Sequence, residues 1–242
     1  MSEQADYGYD APYALVIFAM IGVAATLGAI VEFRDGNGQG TALMSFYAVF
    51  FLANALSFYY ATRRGKFIVW NGILDGLHVR GDERVLDMGC GRGAVLIAVA
   101  KRLTTGRATG IDLWSTRDQS GNASDVTRRN ATVEGVADRI AIETGDMRSL
   151  PFADGSFDLV VSSLAIHNIS GNAERAKAVT EAWRVLKPGG RLAIADIRAT
   201  ALYAGTLDAL GATTTRRRLG WRFWYGNPIA ATSLVTASKP VV

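Results

Sequence analysis

The sequence predicts an α/β protein, with a doubly wound, mostly parallel sheet preceded by a two-helix transmembrane hairpin. Two long charge-free runs fill most of the first sixty residues, and short apolar runs alternate with amphipathic ones through the rest. Acidic and glycine residues fall just after the strand-like runs, where open α/β sheets bind ligands.

The first charge-free run covers 11–31 (APYALVIFAMIGVAATLGAIV). An α-helix needs about 20 such residues to cross ~30 Å of hydrocarbon. A glycine-rich break from Glu32 to Gly40 follows. The second run, 41–62, stops at Arg63, Arg64 and Lys66. Spans over 12–31 and 41–62 are expected, so that the chain divides into a hairpin, 1–62, and a second domain, 63–242. A cleaved signal peptide fits poorly. It begins with basic residues, whereas Glu3, Asp6 and Asp10 precede the first run. The basic cluster outweighs Arg34 in the connecting loop, so the positive-inside rule predicts an integral protein of the cytoplasmic membrane with 63–242 facing the cytoplasm. Tyr13, Tyr59 and Tyr60 then fall at the inner interface, where amphipathic rings sit well. Small residues four apart, Ala24 with Gly28 and Ala25 with Ala29, allow close helix packing, either within the hairpin or in a homodimer. Asn54, a lone amide within the second run, is expected to bond across to the other helix.

Composition closes off some chemistry. Cys90 is the one cysteine, so no internal disulfide forms, and with only His78 and His167 a Cys/His zinc site is excluded; no metal is expected. The net charge of +4 fits nucleic acid, anionic lipid or simple solubility, and its location matters more than its sum.

From residue 66 the pattern predicts a helix at 66–77, a strand at 84–87, a helix at 94–103 and a strand at 108–112. A helix at 122–134 and strands at 140–144 and 157–162 come next, then a helix at 173–186 and a strand at 191–197. Lys187-Pro188-Gly189-Gly190 suits a type II turn before that last strand. A helix at 200–210 and two further strands complete the chain. Such alternation builds parallel βαβ units.

The strand ends carry the site. Asp87 is followed by Met88-Gly89-Cys90-Gly91-Arg92-Gly93, a turn whose backbone can approach a ligand closely. Gly89-x-Gly91-x-x-Ala94 alone also passes for a dinucleotide fingerprint, which would make the protein a dehydrogenase. Asp87 separates the two, because a buried carboxylate suits a cationic ligand and sits badly beside a pyrophosphate. Asp112 can accept ribose hydroxyls. Asp146 with Met147 suits an adenine, the acid taking the exocyclic amine and the thioether covering the ring.

VLDMGCGRG, GIDLW, GDMRSLPFADGSFDLVVSS and RVLKPGGRLAIADI, in this order over 84–197, resemble the class I S-adenosylmethionine-dependent methyltransferases. The chain is also similar to bacterial membrane methyltransferases with two N-terminal spans and a D-Q-S-G-N stretch, present here as Asp118 to Asn122. The resemblance implies a Rossmann-like fold with S-adenosylmethionine as cofactor. It implies that the Asp87–Gly93 loop, with Gly89, Cys90, Gly91 and Gly93, cradles the methionine part, with Asp112 at the ribose and Asp146 and Met147 at the adenine. Leu113 and Trp114 follow Asp112 closely enough to reach the adenine, and the polar run to Asn122 is expected to cover the cofactor or to cap the next helix.

The loop after the fourth strand, Ser162-Ser163-Leu164-Ala165-Ile166-His167, is expected beside the reacting methyl, with Ser163 on the cofactor. His167 is the expected base, or else a structural histidine bonded to backbone; Asp196 and Tyr203 are lesser candidates. The segment 213–225 interleaves arginine with aromatic residues, which suits the anionic membrane surface better than nucleic acid. An anchored enzyme would take a lipophilic small molecule (a lipid, a quinone-like phenol or a heterocycle) from the bilayer. The alternative is a tethered S-adenosylmethionine-binding or assembly protein without turnover.

Overall fold

The computed structural model describes residues 4–241, leaving Glu3 outside the described residues. The hairpin consists of α1 (Pro12–Arg34) and α2 (Gly38–Tyr60), both long and apolar enough to cross a membrane. Met20, Leu27, Phe33, Phe46, Val49 and Leu56 point outward and are largely exposed. An apolar surface of that extent marks contact with a membrane or a partner. The seam between the helices uses Gly22 and Ala25, both buried, and a Cβ on Gly22 would meet the Leu52 side chain at 2.7 Å. Gly28 faces Met44, whereas Ala24 is exposed, so the four-residue spacing divides between seam and outer surface.

No linker separates the two parts of the chain. α2 passes through one π-helical turn, Ala61–Gly65, directly into α3 (Lys66–Gly76), giving a continuous helix of 39 residues. The boundary expected at residue 62 therefore lies inside a helix. The π turn, a form that concentrates at functional sites, carries Thr62 and Gly65 in buried positions, and Lys66 beyond it is buried too. At Gly65 the helix lies against the carbonyl of Arg222, and any Cβ would overlap it. Gly65→Ala is expected to destabilise the protein by about 3 kcal/mol, read as a lower thermal midpoint in detergent. Lys66 is 4% exposed and is held by Asp10 at 3.0 Å, so it is not the free cation that the charge count assumed. Arg63 and Arg64 stay exposed.

The sheet contains β1 (Arg84–Met88), β2 (Arg107–Asp112), β3 (Ile140–Thr144), β4 (Phe157–Ser163), β5 (Leu186–Asp196), β6 (Thr213–Arg218) and β7 (Ser233–Ser238). Its order is β3-β2-β1-β4-β5-β7-β6, with β7 antiparallel to both neighbours and the other pairings parallel. β1 and β4 are buried on both faces, which explains their nearly continuous apolar runs. On one face α3 and α4 (Ala94–Ala100) pack through Trp70, Leu74, Leu96 and Val99, joined by Ala131 of α5 (Ser124–Val133). On the other, α6 (Asn172–Val185) and α7 (Thr200–Ala209) bury Val179, Trp183, Tyr203 and Leu207. The Lys187–Gly190 turn falls within β5, where the pairing with β4 shifts register and Gly189 takes the positive φ of 75° that the turn's third residue needs. Strand order reverses between β1 and β4, so the crevice for a ligand opens above Asp87 and Ser163.

Candidate active site

A cavity of about 470 Å³ lies over those strand ends. Its floor is the turn after β1. The Gly89 N–H donates to the Ile111 carbonyl at 2.8 Å, and the Gly91 N–H to Asp112 Oδ2 at 2.8 Å. Both glycines have positive φ; a Cβ on Gly89 would collide with Ala165, and one on Gly91 with Gln119. Only glycine lets this backbone line the cavity.

Asp87 faces the same cavity from 2% exposure, and neither carboxylate oxygen has a well-formed hydrogen bond among the described residues. Burial raises its pKa to about 8, with the Asp112 charge adding to the shift and the Leu96 N–H opposing it. An orphaned, buried carboxylate beside a glycine cradle is a receptor for a cation, and it fits the ammonium or sulfonium of S-adenosylmethionine.

The remaining expected contacts divide. Cys90, Leu113, Asn122, Asp146, Met147 and Ser163 line the cavity together with Asp112. Gly93 and Trp114 do not. Gly93 instead starts α4, and Trp114, at φ 61°, turns its indole N–H to Thr144 Oγ1 at 2.8 Å. Asp112 Oδ1 accepts from the Trp114 backbone N–H at 2.6 Å and from Asn122 Nδ2 at 3.2 Å. Asn122 uses its Nδ2 on Asp112 and on the Ser115 carbonyl, while its buried Oδ1 has no partner among the described residues; it caps nothing, and α5 begins two residues later without a side-chain cap. Asp146 is gripped by Arg148 through Nε and Nη2 at 2.6–3.0 Å, which lowers its pKa and holds the carboxylate in place at the cavity wall. Trp70 of α3 donates its indole N–H to Ser163 Oγ at 2.8 Å, tying the helix that continues the hairpin to the cavity wall.

His167 also lines the cavity, and its Nδ1 lies 2.6 Å from Asp196 Oδ1. Asp196 is fully buried; its Oδ2 accepts the His167 backbone N–H at 3.0 Å and the Tyr203 hydroxyl at 3.1 Å. The Asp196 charge beside Nδ1 favours a proton on that nitrogen and leaves Nε2 to take one, although the short Nδ1–Oδ1 contact is not aligned as a hydrogen bond. Asp196 and Tyr203 therefore act together on the imidazole. Asp196 ends β5 within the RVLKPGGRLAIADI stretch and Tyr203 comes from α7, but nothing local in the sequence pairs either with His167.

Residues 6–11, whose Asp6 and Asp10 the sequence shows only as acids preceding the first apolar run, have a further role. They lie across the cofactor turn. Asp6 bonds Arg92 Nη2 at 2.7 Å, and the Tyr9 N–H donates to Ser120 Oγ at 2.9 Å. The Ala11 N–H donates to the Asp118 carbonyl at 2.9 Å. Gln119 is the hub: Oε1 accepts the Arg92 N–H at 2.8 Å, and Nε2 reaches the Tyr7 carbonyl and Asp10 Oδ1 at 3.2 Å. Asp10 in turn accepts from Thr62, Lys66 and Tyr225. The Asp118–Asn122 stretch thus ties the segment before α1 to the cofactor turn, with Asp10, Ala11 and Gln119 themselves on the cavity wall. Gln119→Ala is expected to weaken S-adenosylmethionine binding about tenfold by calorimetry, since the turn loses one support and leaves buried donors unpaired.

Comparison with known proteins accords with this geometry. Residues 86–194 match a family model described as a methyltransferase domain. The demethylmenaquinone methyltransferase of Lactiplantibacillus plantarum is 37% identical over 117 residues, 48% of this chain and 46% of that protein. The ubiquinone/menaquinone biosynthesis C-methyltransferase UbiE of Roseobacter denitrificans is 36% identical over 124 residues, 51% of this chain and 46% of that protein. The chain spans about half the length of these curated relatives. A solved structure of a SAM-dependent methyltransferase from Aquifex aeolicus shares the fold with a TM-score of 0.54 at 19% identity, covering 72% of this chain and 89% of that one. Residues 86–194 are thus similar to methyltransferase domains, and they lie on a Rossmann-like sheet.

Proposed function

We propose that the protein is a membrane-anchored methyltransferase that moves a methyl group from S-adenosylmethionine to a lipophilic small molecule by in-line substitution. One observation carries the reading: a single cavity is lined by Asp87, Gly89, Gly91 and Asp112, by Ala11 and Phe58 at the roots of the hairpin, and by His167. The relatives named for quinone methylation add support for an acceptor of that kind, a phenolic or quinone-like ring with an apolar tail.

S-adenosylmethionine, when bound, supplies an electrophilic methyl on a sulfonium. Asp87 balances the positive charge, and Asp112, already oriented by Gly91, Trp114 and Asn122, keeps lone pairs for hydroxyls. His167 Nε2 takes the proton that an acidic acceptor gives up as its new bond to carbon forms. Placement and exclusion of water supply the rest of the acceleration. Tyr59 and Arg63, at the end of α2 and just beyond it, gather around Tyr9 at the base of the hairpin, consistent with a cytoplasmic interface there. Paired copies within the membrane are compatible with the exposed face around Ala24 but are not needed for the cavity.

The experiment is methyl transfer by the full chain in nanodiscs made from its host's lipids, with radiolabelled S-adenosylmethionine and quinone precursors, alongside carbonate extraction of the membranes that carry it. Label in the organic extract and retention in the washed membrane are expected. Label confined to water-soluble products would overturn the lipophilic acceptor. Tight cofactor binding without transfer would favour the tethered binding protein, and release by carbonate would remove the anchor.

A further inference from the structure

Three consecutive arginines, Arg216, Arg217 and Arg218, end the edge strand β6 and line a second cavity of about 270 Å³. All three are exposed, and none has an ion pair or side-chain hydrogen bond among the described residues. Charge on an edge strand discourages strand addition, and that alone would account for arginines there. It does not account for a walled pocket, whose remaining lining comes from Ile197, Pro228, Ile229, Ala231 and Ser233.

Two placements say what such a pocket meets. The first is height along the hairpin. Asn227 donates to Asn54 Oδ1 of α2 at 2.8 Å and, through its own Oδ1, caps the turn Pro228–Ala230 at the Ile229 N–H. Asn54 precedes Tyr60 by six residues, about 9 Å of helix rise. The turn therefore stands above the level of Tyr60 and Arg63, on the side toward the hairpin tip, and at its crest Ile229 is 95% exposed. An exposed isoleucine at that height, lining the same pocket as the guanidinium groups, matches the boundary between acyl chains and phosphates.

The second placement is lateral. Asp196 on β5 pairs with Ser233 on β7, and Ser233 pairs with Arg218 on β6. Two steps of ~4.8 Å put the Arg218 backbone about 10 Å from that of Asp196. Ile197, the next residue, lines both this pocket and the reaction cavity.

We infer that the Arg216–Arg218 pocket binds the phosphate of an anionic membrane amphiphile, with its acyl chain against Ile229, beside the methyl-transfer cavity. Guanidinium groups suit phosphate because their donors match its oxygens in pairs. The position of the pocket relative to the bilayer rests on the membrane-anchor reading; the binding itself does not.

The test uses the full chain in dodecyl maltoside, titrated with dioctanoylphosphatidylglycerol and followed by calorimetry and native mass spectrometry. One lipid per chain is expected, displaced by inorganic phosphate at much higher concentration and weakened severalfold between 0.1 and 0.5 M salt. The triple variant R216Q/R217Q/R218Q is expected to bind at least tenfold more weakly at an unchanged thermal midpoint. Should the triple variant fail to fold, the single variant Arg217→Gln, expected to lose about threefold, takes its place. Equal lipid affinity in wild type and variant would overturn the site. Dioctanoylphosphatidylcholine bound as tightly as the anionic lipid would also do so. Inorganic phosphate binding as tightly as the lipid would assign the pocket to a soluble anion and overturn the amphiphile. A chain that stays in carbonate-washed membranes yet binds no anionic lipid would leave the anchor standing and remove only this pocket.

Discussion

Asp87→Asn raises the thermal midpoint of the cofactor-free protein at neutral pH and weakens S-adenosylmethionine binding by about a hundredfold. Both effects come from one misplaced charge. The Asp87 carboxyl is buried without a well-formed partner and its pKa is raised to about 8, against an ordinary value of 3.8. The folded protein therefore holds a proton that the unfolded chain has already lost, and stability falls as pH rises from about 4 toward 8, then levels. Asparagine removes this slope. A gain of about 2 kcal/mol above the ordinary carboxylate range corresponds to roughly 4–8 °C in a protein of this size. The cofactor's positive charge reverses the sign, because the ionised carboxylate becomes one half of a buried pair, and losing a partner from such a pair costs about 3 kcal/mol or more. In the wild type, affinity should climb with pH up to about 8 and then flatten, with a proton released on binding below that point. The variant should be insensitive across the same range. Calorimetry in two buffers of different ionisation enthalpy measures the proton directly. A wild-type affinity flat from pH 6 to 9 would show that Asp87 is not the counter-charge.

Asp196→Asn is the second large effect: kcat should fall between a hundredfold and a thousandfold while S-adenosylmethionine affinity changes little. Asp196 sits behind His167 and does not line the cavity, so it acts through the imidazole. With asparagine there, the amide can offer His167 an N–H where it needs an acceptor, and the tautomer with a proton on Nε2 is favoured. General bases are worth about two to four orders of magnitude, and a base held in the wrong tautomer forfeits much of that. Tyr203→Phe removes one hydrogen bond from Asp196 and keeps the carboxylate, so a loss of about tenfold or less is expected. The rate of the Asp196 variant should recover partly at higher pH for an acceptor that ionises unaided. A merely structural role for Asp196 would lower the thermal midpoint and leave the shape of the pH profile unchanged.

What could be read in advance follows from the range of the interactions involved. The glycine turn, Asp87, Asp112 and Met147 announce themselves because each stands at a strand end, and strand ends are legible from local apolar runs. Gly93 belongs to the same motif, yet its positive φ serves the start of α4 and not the cavity wall. Asp146 shows the limit of a motif: nothing in GDM reveals that Arg148, two residues on, will grip the carboxylate. Asn54 was legible as a buried amide, but not its partner, Asn227, 173 residues away in the second domain and not on the facing helix. The strap formed by residues 6–11 was hidden for the same reason. Its bonds to Gln119 and Ser120 span more than a hundred positions and obey no period. Lys66 was counted with the interfacial cations because charge is visible in a sequence and the Asp10 that neutralises it is not.

The unbroken passage from α2 through the π turn into α3 gives the molecule a stiff lever. One arm stands among the hydrophobic side chains of the hairpin, and five residues past the π turn Trp70 reaches Ser163 on the cavity wall. A flexible linker would let the second domain move independently of the hairpin. Here a tilt of the hairpin is a tilt of the wall, and Asp10, clamped to Lys66 on the same helix, carries the strap along with it. On the proposed membrane-anchored reading, bilayer thickness and lateral pressure, which set helix tilt, would become mechanical inputs to the cavity.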